Sequence, residues 1–109
     1  MNILIIIPCY NDNEHLVKLF SEIRNHTRLP ILLIDDGSTN LAYKEVQNIN
    51  NVISIRLDEN NGKGAALIEG FKYAIKKNFT HVITMDSDLQ HPPHKINDFI
   101  NSDINFELV

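Results

Sequence analysis

Residues 2–7 read Asn-Ile-Leu-Ile-Ile-Ile, a run too short for a buried helix and too continuous for a strand with one wet face. Runs like this suit strands covered on both sides, and their β-branched side chains favour extended backbone. Three more follow, at Ile31 to Ile34, Val52 to Leu57 and His81 to Met85. Such strands need helices over both faces of their sheet, and the segments between them have helical spacing. Leu16, Leu19, Phe20 and Ile23 fall at i, i+3, i+4 and i+7. Ala65, Ile68, Phe71, Lys72 and Ile75 trace a stripe through Gly64 to Lys77, ended by Lys76, Lys77 and Asn78. A shorter helix is expected from Leu41 to Ile49, and Pro93 opens a last one through Ile100. Strands alternating with helices predict an α/β sandwich on a mainly parallel sheet with right-handed crossovers.

With 109 residues the chain is expected to hold a single domain, 1–109. Its formal net charge is −4 and its 10 Lys and Arg are scattered, so no basic stripe exists to neutralise nucleic-acid phosphates. Cys9 is the only cysteine, which leaves no internal disulfide. No run approaches the roughly 18 apolar residues of a membrane span. The first apolar run has neither a basic segment before it nor a small-residue cleavage site after it. The chain therefore reads as mature from Met1 and cytoplasmic.

Ligands of parallel α/β sheets bind outside the carboxyl ends of the strands. The segments at those ends are Pro8-Cys9-Tyr10-Asn11-Asp12, Asp35-Asp36-Gly37-Ser38-Thr39, Asp58 to Gly64, and Asp86-Ser87-Asp88-Leu89-Gln90. Polar, acidic and glycine residues concentrate there. Asp86 and Asp88 are two apart on extended backbone, so both carboxylates can reach one point. Hard oxygen donors with open positions suit Mg²⁺ or Mn²⁺ carrying a diphosphate, and Gln90 can add a third. The plainer role of Asp88 is to cap the helix that Pro93 opens. Asp36 can accept from a base N–H or a ribose hydroxyl, while Asp-Gly-Ser is also ordinary turn chemistry. Tyr10 offers a stacking face and a hydroxyl, or else plugs the sheet end. Gly62, Lys63 and Gly64 open a helix where a phosphate could approach, or simply form a glycine-capped loop. The P-loop and dinucleotide-fold glycine spacings are both absent, and His91 and Asn97 break an EF-hand pattern.

Order and context add what the single motifs lack. Pro-x-Tyr-Asn-Asp, Asp-Asp-Gly-Ser-Thr, Asn-x-Gly-Lys-Gly-x-Ala and Asp-x-Asp-x-Gln-His-Pro-Pro follow successive strands. The chain resembles the family 2 glycosyltransferases of the GT-A fold, most of all the dolichyl- or polyprenyl-phosphate sugar transferases. The resemblance implies a Rossmann-like sandwich, truncated to the N-terminal, donor-binding part. It implies that Pro8, Tyr10, Asn11 and Asp12 hold the nucleotide, with Asp12 standing where the family usually has Glu. Asp36 would contact the base, supported by Asp35. Asp86 would meet ribose and metal, Asp88 and Gln90 would complete the metal shell, and Lys63 would lie near the phosphates. The implied reaction moves a hexose from a UDP- or GDP-sugar to an acceptor such as polyprenyl phosphate, in cell envelope glycan synthesis, with Mg²⁺ or Mn²⁺ as cofactor. Full-length relatives would work at the cytoplasmic face of the membrane. The alternative is a nucleotide-sugar-binding module without transfer activity. A nucleotidyltransferase on a similar sheet would want a Gly-rich, basic segment after the first strand, where Pro8-Cys9-Tyr10 stands. Asp35, Asp36, Asp86 and Asp88 are expected to crowd one sheet edge, their repulsion relieved by the cation. Phe106 to Val109 reads as the start of another strand, whose open edge favours self-association.

Overall fold

The first strand, β1 (Ile3–Cys9), is buried at every residue, and its side chains divide between two cores. Ile5 and Ile7 enter one core with Leu16, Leu19, Phe20 and Ile23 of α1 (Glu14–His26). Leu4 and Ile6 enter the other with Ala66 and Ala74 of α3 (Lys63–Lys76). Alternate residues of a strand point to opposite faces, so an unbroken apolar run serves both helical layers. Leu4, Ile5, Ile6 and Ile7 are each 0% exposed, and burying such a side chain contributes about 1.5–3 kcal/mol. The computed structural model describes residues 2–11, 14–39 and 43–87. The expected helix from Pro93 and the segment Phe106 to Val109 lie outside them.

The other described elements are β2 (Ile31–Asp35), α2 (Tyr43–Val46), β3 (Val52–Arg56) and β4 (His81–Thr84). The sheet is parallel throughout, in the order β3-β2-β1-β4. The expected two-faced burial holds for the central β1 and β2. It is only partial for β3 and β4, which stand at the two ends of the described sheet.

Pro8 belongs to β1 rather than to the loop after it. Its missing N–H costs the ladder nothing. Alternate residues of β1 bond to alternate neighbours, Cys9 O accepting from Asp36 N–H and Ile6 O from Met85 N–H. Pro8 therefore faces the β4 side, beyond the last pair, Ile6 with Thr84.

The stripe expected on α3 is corrected. Ile68 and Ile75 are each 54% exposed, whereas Ala66, Gly70 and Ala74, at i, i+4 and i+8, are buried against the sheet. The reason is distance. A Cβ on Gly70 would stand 2.8 Å from Cγ2 of Ile6, so the helix lies too close for large side chains on its central line. Leu67, Phe71 and Tyr73 pack at the flanks.

At the amino-terminal edge of the sheet, Arg24 donates to the carbonyls of Thr27, Leu29, Asn50 and Asn51. This joins the end of α1 to the turn before β3. Burial, and then the neighbouring Arg28, lower the Arg24 pKa from its ordinary value.

Candidate functional site

From β1 the chain steps to β2 and β3 on one side, then crosses back to β4 on the other. The order reverses between β1 and β4, and a crevice for a ligand opens at the carboxyl ends of such a pair. Tyr10 and Asn11 leave β1 at this point, and Asp86 and Ser87 leave β4. Tyr10 is 45% exposed, so its ring does not plug the sheet end.

The loops around the crevice are tied to one another by their own side chains. Asn11 takes a positive φ of 55°, and its N–H donates to Ser38 Oγ at 2.8 Å. Its side-chain oxygen accepts from the N–H and hydroxyl of Thr39, at 2.9 and 3.2 Å. Gly37 sits at φ 76°, where a Cβ would meet the Glu59 carbonyl carbon at 2.5 Å. Glycine is thus required there both for the left-handed turn and for the passage of the next loop.

Asp35 and Asp36 are both buried, at 1% and 3% exposure, yet they face different partners. Oδ1 of Asp35 accepts from Ser38 N–H at 3.0 Å. Its Oδ2 has no hydrogen bond and stands 3.7 Å from Nε of Arg56. Asp36 accepts from two backbone amides, Asn61 N–H on Oδ1 at 3.0 Å and Gly62 N–H on Oδ2 at 2.8 Å. The carboxylate expected to read a base therefore also fixes the loop that delivers Lys63. Each oxygen keeps a second lone pair for a further donor.

Lys63 is the first residue of α3, following Gly62 at φ 96°. Its ammonium forms an ion pair with Oδ1 of Asp86. This contact joins the start of α3 to the end of β4 across the site. Asp35, Asp36 and Asp86 all stand at or just past the carboxyl ends of strands, and each has its own partner there. Arg56 offsets Asp35, two amides hold Asp36, and Lys63 offsets Asp86. Asp12, Asp88 and Gln90 lie outside the described residues.

Arg56 was not singled out by the sequence motifs. Its Nη2 donates to Ser38 O at 2.8 Å and its guanidinium lies 5.1 Å from the Tyr43 ring centroid. The signal was a lone cation ending the apolar run Val-Ile-Ser-Ile, which parallel pairing brings level with Asp35. Among the described residues no group of three or more His, Cys, Asp or Glu could hold a metal. Of the expected ligands, Asp86 alone is described, a hard oxygen donor at the crevice.

Residues 4–103 match the family model described as glycosyl transferase family 2. The chain belongs to this family. Its family 2 relatives include a dolichol-phosphate mannosyltransferase of Pyrococcus furiosus, 37% identical over 88% of this chain and 28% of the relative. A UDP-N-acetylglucosamine–dolichyl-phosphate N-acetylglucosaminyltransferase of Methanococcus voltae is 32% identical over 94% of this chain and 47% of the relative. An undecaprenyl-phosphate 4-deoxy-4-formamido-L-arabinose transferase of Proteus mirabilis is 38% identical over 84% and 30%. The chain thus spans less than half the length of each of these relatives. Its fold matches a mannosyltransferase from Pyrobaculum calidifontis in complex with GDP-Man and Mn²⁺, with a TM-score of 0.71 at 19% identity. That match covers 86% of this chain and 29% of the mannosyltransferase. A 4-diphosphocytidyl-2C-methyl-D-erythritol synthase matches at TM-score 0.56 and 13% identity, a likeness of sheet alone. The family 2 assignment and the parallel sheet agree with the expected GT-A architecture.

Proposed function

We propose that this family 2 chain holds the nucleoside diphosphate of an activated sugar, and that the activity it serves moves a hexose onto a polyprenyl phosphate. The observation that carries this reading is the Asp86–Lys63 pair at the switch point, an anion and a cation set side by side. A divalent cation can take the first and a diphosphate the second. Tyr10 would stack on the base, with Pro8, Asn11 and Asp12 shaping that end of the pocket. Asp36, backed by Asp35, would accept from the base. Asp86, with Asp88 and Gln90, would hold Mg²⁺ or Mn²⁺, whose chemistry when bound is to offset charge on the departing diphosphate. The carboxylate oxygen of Asp86 fits that role as a hard donor just beyond the carboxyl end of β4. Lys63 would bind the same diphosphate from the helix side.

The lipid acceptor is supported by the relatives, whose names specify dolichyl and undecaprenyl phosphates. A phosphate acceptor is already an anion and needs no strong general base. No helix of the described residues is long and apolar enough to cross a membrane. We place the meeting with the lipid headgroup at the cytoplasmic membrane face, as the resemblance to polyprenyl-phosphate sugar transferases implies. A second reading is binding of the nucleotide sugar without transfer, and a transfer assay separates the two.

Calorimetry with UDP and with GDP tests the proposal. Binding of one of them is expected to need Mg²⁺ or Mn²⁺, and Asp88→Asn should remove most of the metal effect while leaving the fold intact. Equal affinity in EDTA would sink the metal-dependent site.

A further inference from the structure

We infer that Lys63 is the resident counter-cation of Asp86, and that a divalent cation entering the site displaces it toward the diphosphate. The inference rests on the donor-site reading above and concerns how that site is kept ready. The Asp86 side chain is 19% exposed, so its charge has lost much of its water and needs a nearby cation. The Lys63 side chain is 60% exposed, so it can leave without opening the core.

The two ends of this lysine are held differently. Its backbone starts α3, just after the two amides that Asp36 anchors. Its head is a compact charge on a flexible four-carbon stem. A fixed root and a free head let the ammonium move a few ångströms without reshaping the loop. A dication on Asp86 would repel an ammonium bonded to the same carboxylate. The metal therefore competes with Lys63, and metal-free Asp86 is already balanced. Once displaced, the ammonium is a donor anchored beside the place where a metal-held diphosphate would lie. Gly64, next in the helix, has open space where its Cβ would stand.

The prediction has two opposite signs. In Lys63→Met, Mn²⁺ binding without nucleotide should tighten by roughly two- to fivefold, because no internal cation competes. Nucleoside diphosphate binding at saturating Mn²⁺ should weaken in the same variant. Lys63→Arg keeps a cation and should bind Mn²⁺ close to wild type. Free Mn²⁺ can be followed by its electron paramagnetic resonance signal, with the fold checked by circular dichroism. Lys63→Gln serves as a second neutral variant if the methionine disturbs folding. Unchanged or weaker Mn²⁺ affinity in folded neutral variants overturns the inference. If wild type binds Mn²⁺ and Asp86→Asn does not, the metal reading survives that failure. Absence of Mn²⁺ binding in wild type and both neutral variants overturns the two together.

Discussion

Two adjacent aspartates show how much a single backbone step decides. Asp35 turns to Arg56 and Ser38, while Asp36 turns to the amides of Asn61 and Gly62. An asparagine at 36 could offer only one oxygen to those two amides, and its NH₂ would face the other. Asp36→Asn is expected to lower stability by about 0.5–1.5 kcal/mol, the net worth of a hydrogen bond lost at a part-buried amide. Urea unfolding measures the loss, and amide exchange should quicken at Asn61 or Gly62 ahead of the strands. An unchanged midpoint would mean that the loop holds itself without Asp36. The Asp-Asp-Gly-Ser motif was legible as an acidic segment after a strand, but its division of labour was not. That division depends on which loop passes each carboxylate, and the passing residues lie more than twenty positions away for Asp36.

At the scale of the element, α3 separates periodicity from fit. Its large apolar residues at 68 and 75 face outward and its small ones meet the sheet. Gly70→Ala gains helix propensity of about 1 kcal/mol, but its methyl would sit 2.8 Å from Cγ2 of a fully buried, β-branched Ile6. Overpacking of this kind costs about 1–3 kcal/mol, so the net change should be destabilising. Gly64→Ala in the same helix meets nothing within 4 Å. It should be neutral or stabilising by up to ~1 kcal/mol through the unfolded chain. Thermal or denaturant unfolding of the pair gives the answer. A Gly70→Ala protein as stable as wild type would show that Ile6 can move aside. Strand positions, by contrast, were read to within two residues, because continuous β-branched runs leave few other structures open to them.

For the whole molecule, the decisive matter is what the donor edge can do by itself. Positioning two reactants together can supply roughly 7–11 kcal/mol of a barrier, and each residue proposed here for the site would serve the nucleotide side. Incubated with Mg²⁺, polyprenyl phosphate and labelled UDP-glucose or GDP-mannose, the 109-residue chain is expected to form no lipid-linked sugar and at most to hydrolyse the donor slowly. Robust formation of a glycolipid would show an acceptor site among these residues. The strand edge expected at 106–109 lies outside the described residues. Among those described, β4 pairs with β1 on one side only, so sedimentation of the same sample bears on self-association.

The sequence by itself determined the class of fold, the position of its strands and the edge where polar and acidic residues gather. These follow from local pattern: which residues are apolar, how they repeat, and what stands just after each run. Only the tertiary structure decided that β1 lies between β2 and β4, which sets the switch point between β1 and β4. It alone set Arg56 against Asp35, drew Asp36 to the Gly62 loop and brought Lys63 to Asp86. Those pairings join residues about twenty or more positions apart. Their energies depend on distance and burial, which no local pattern carries.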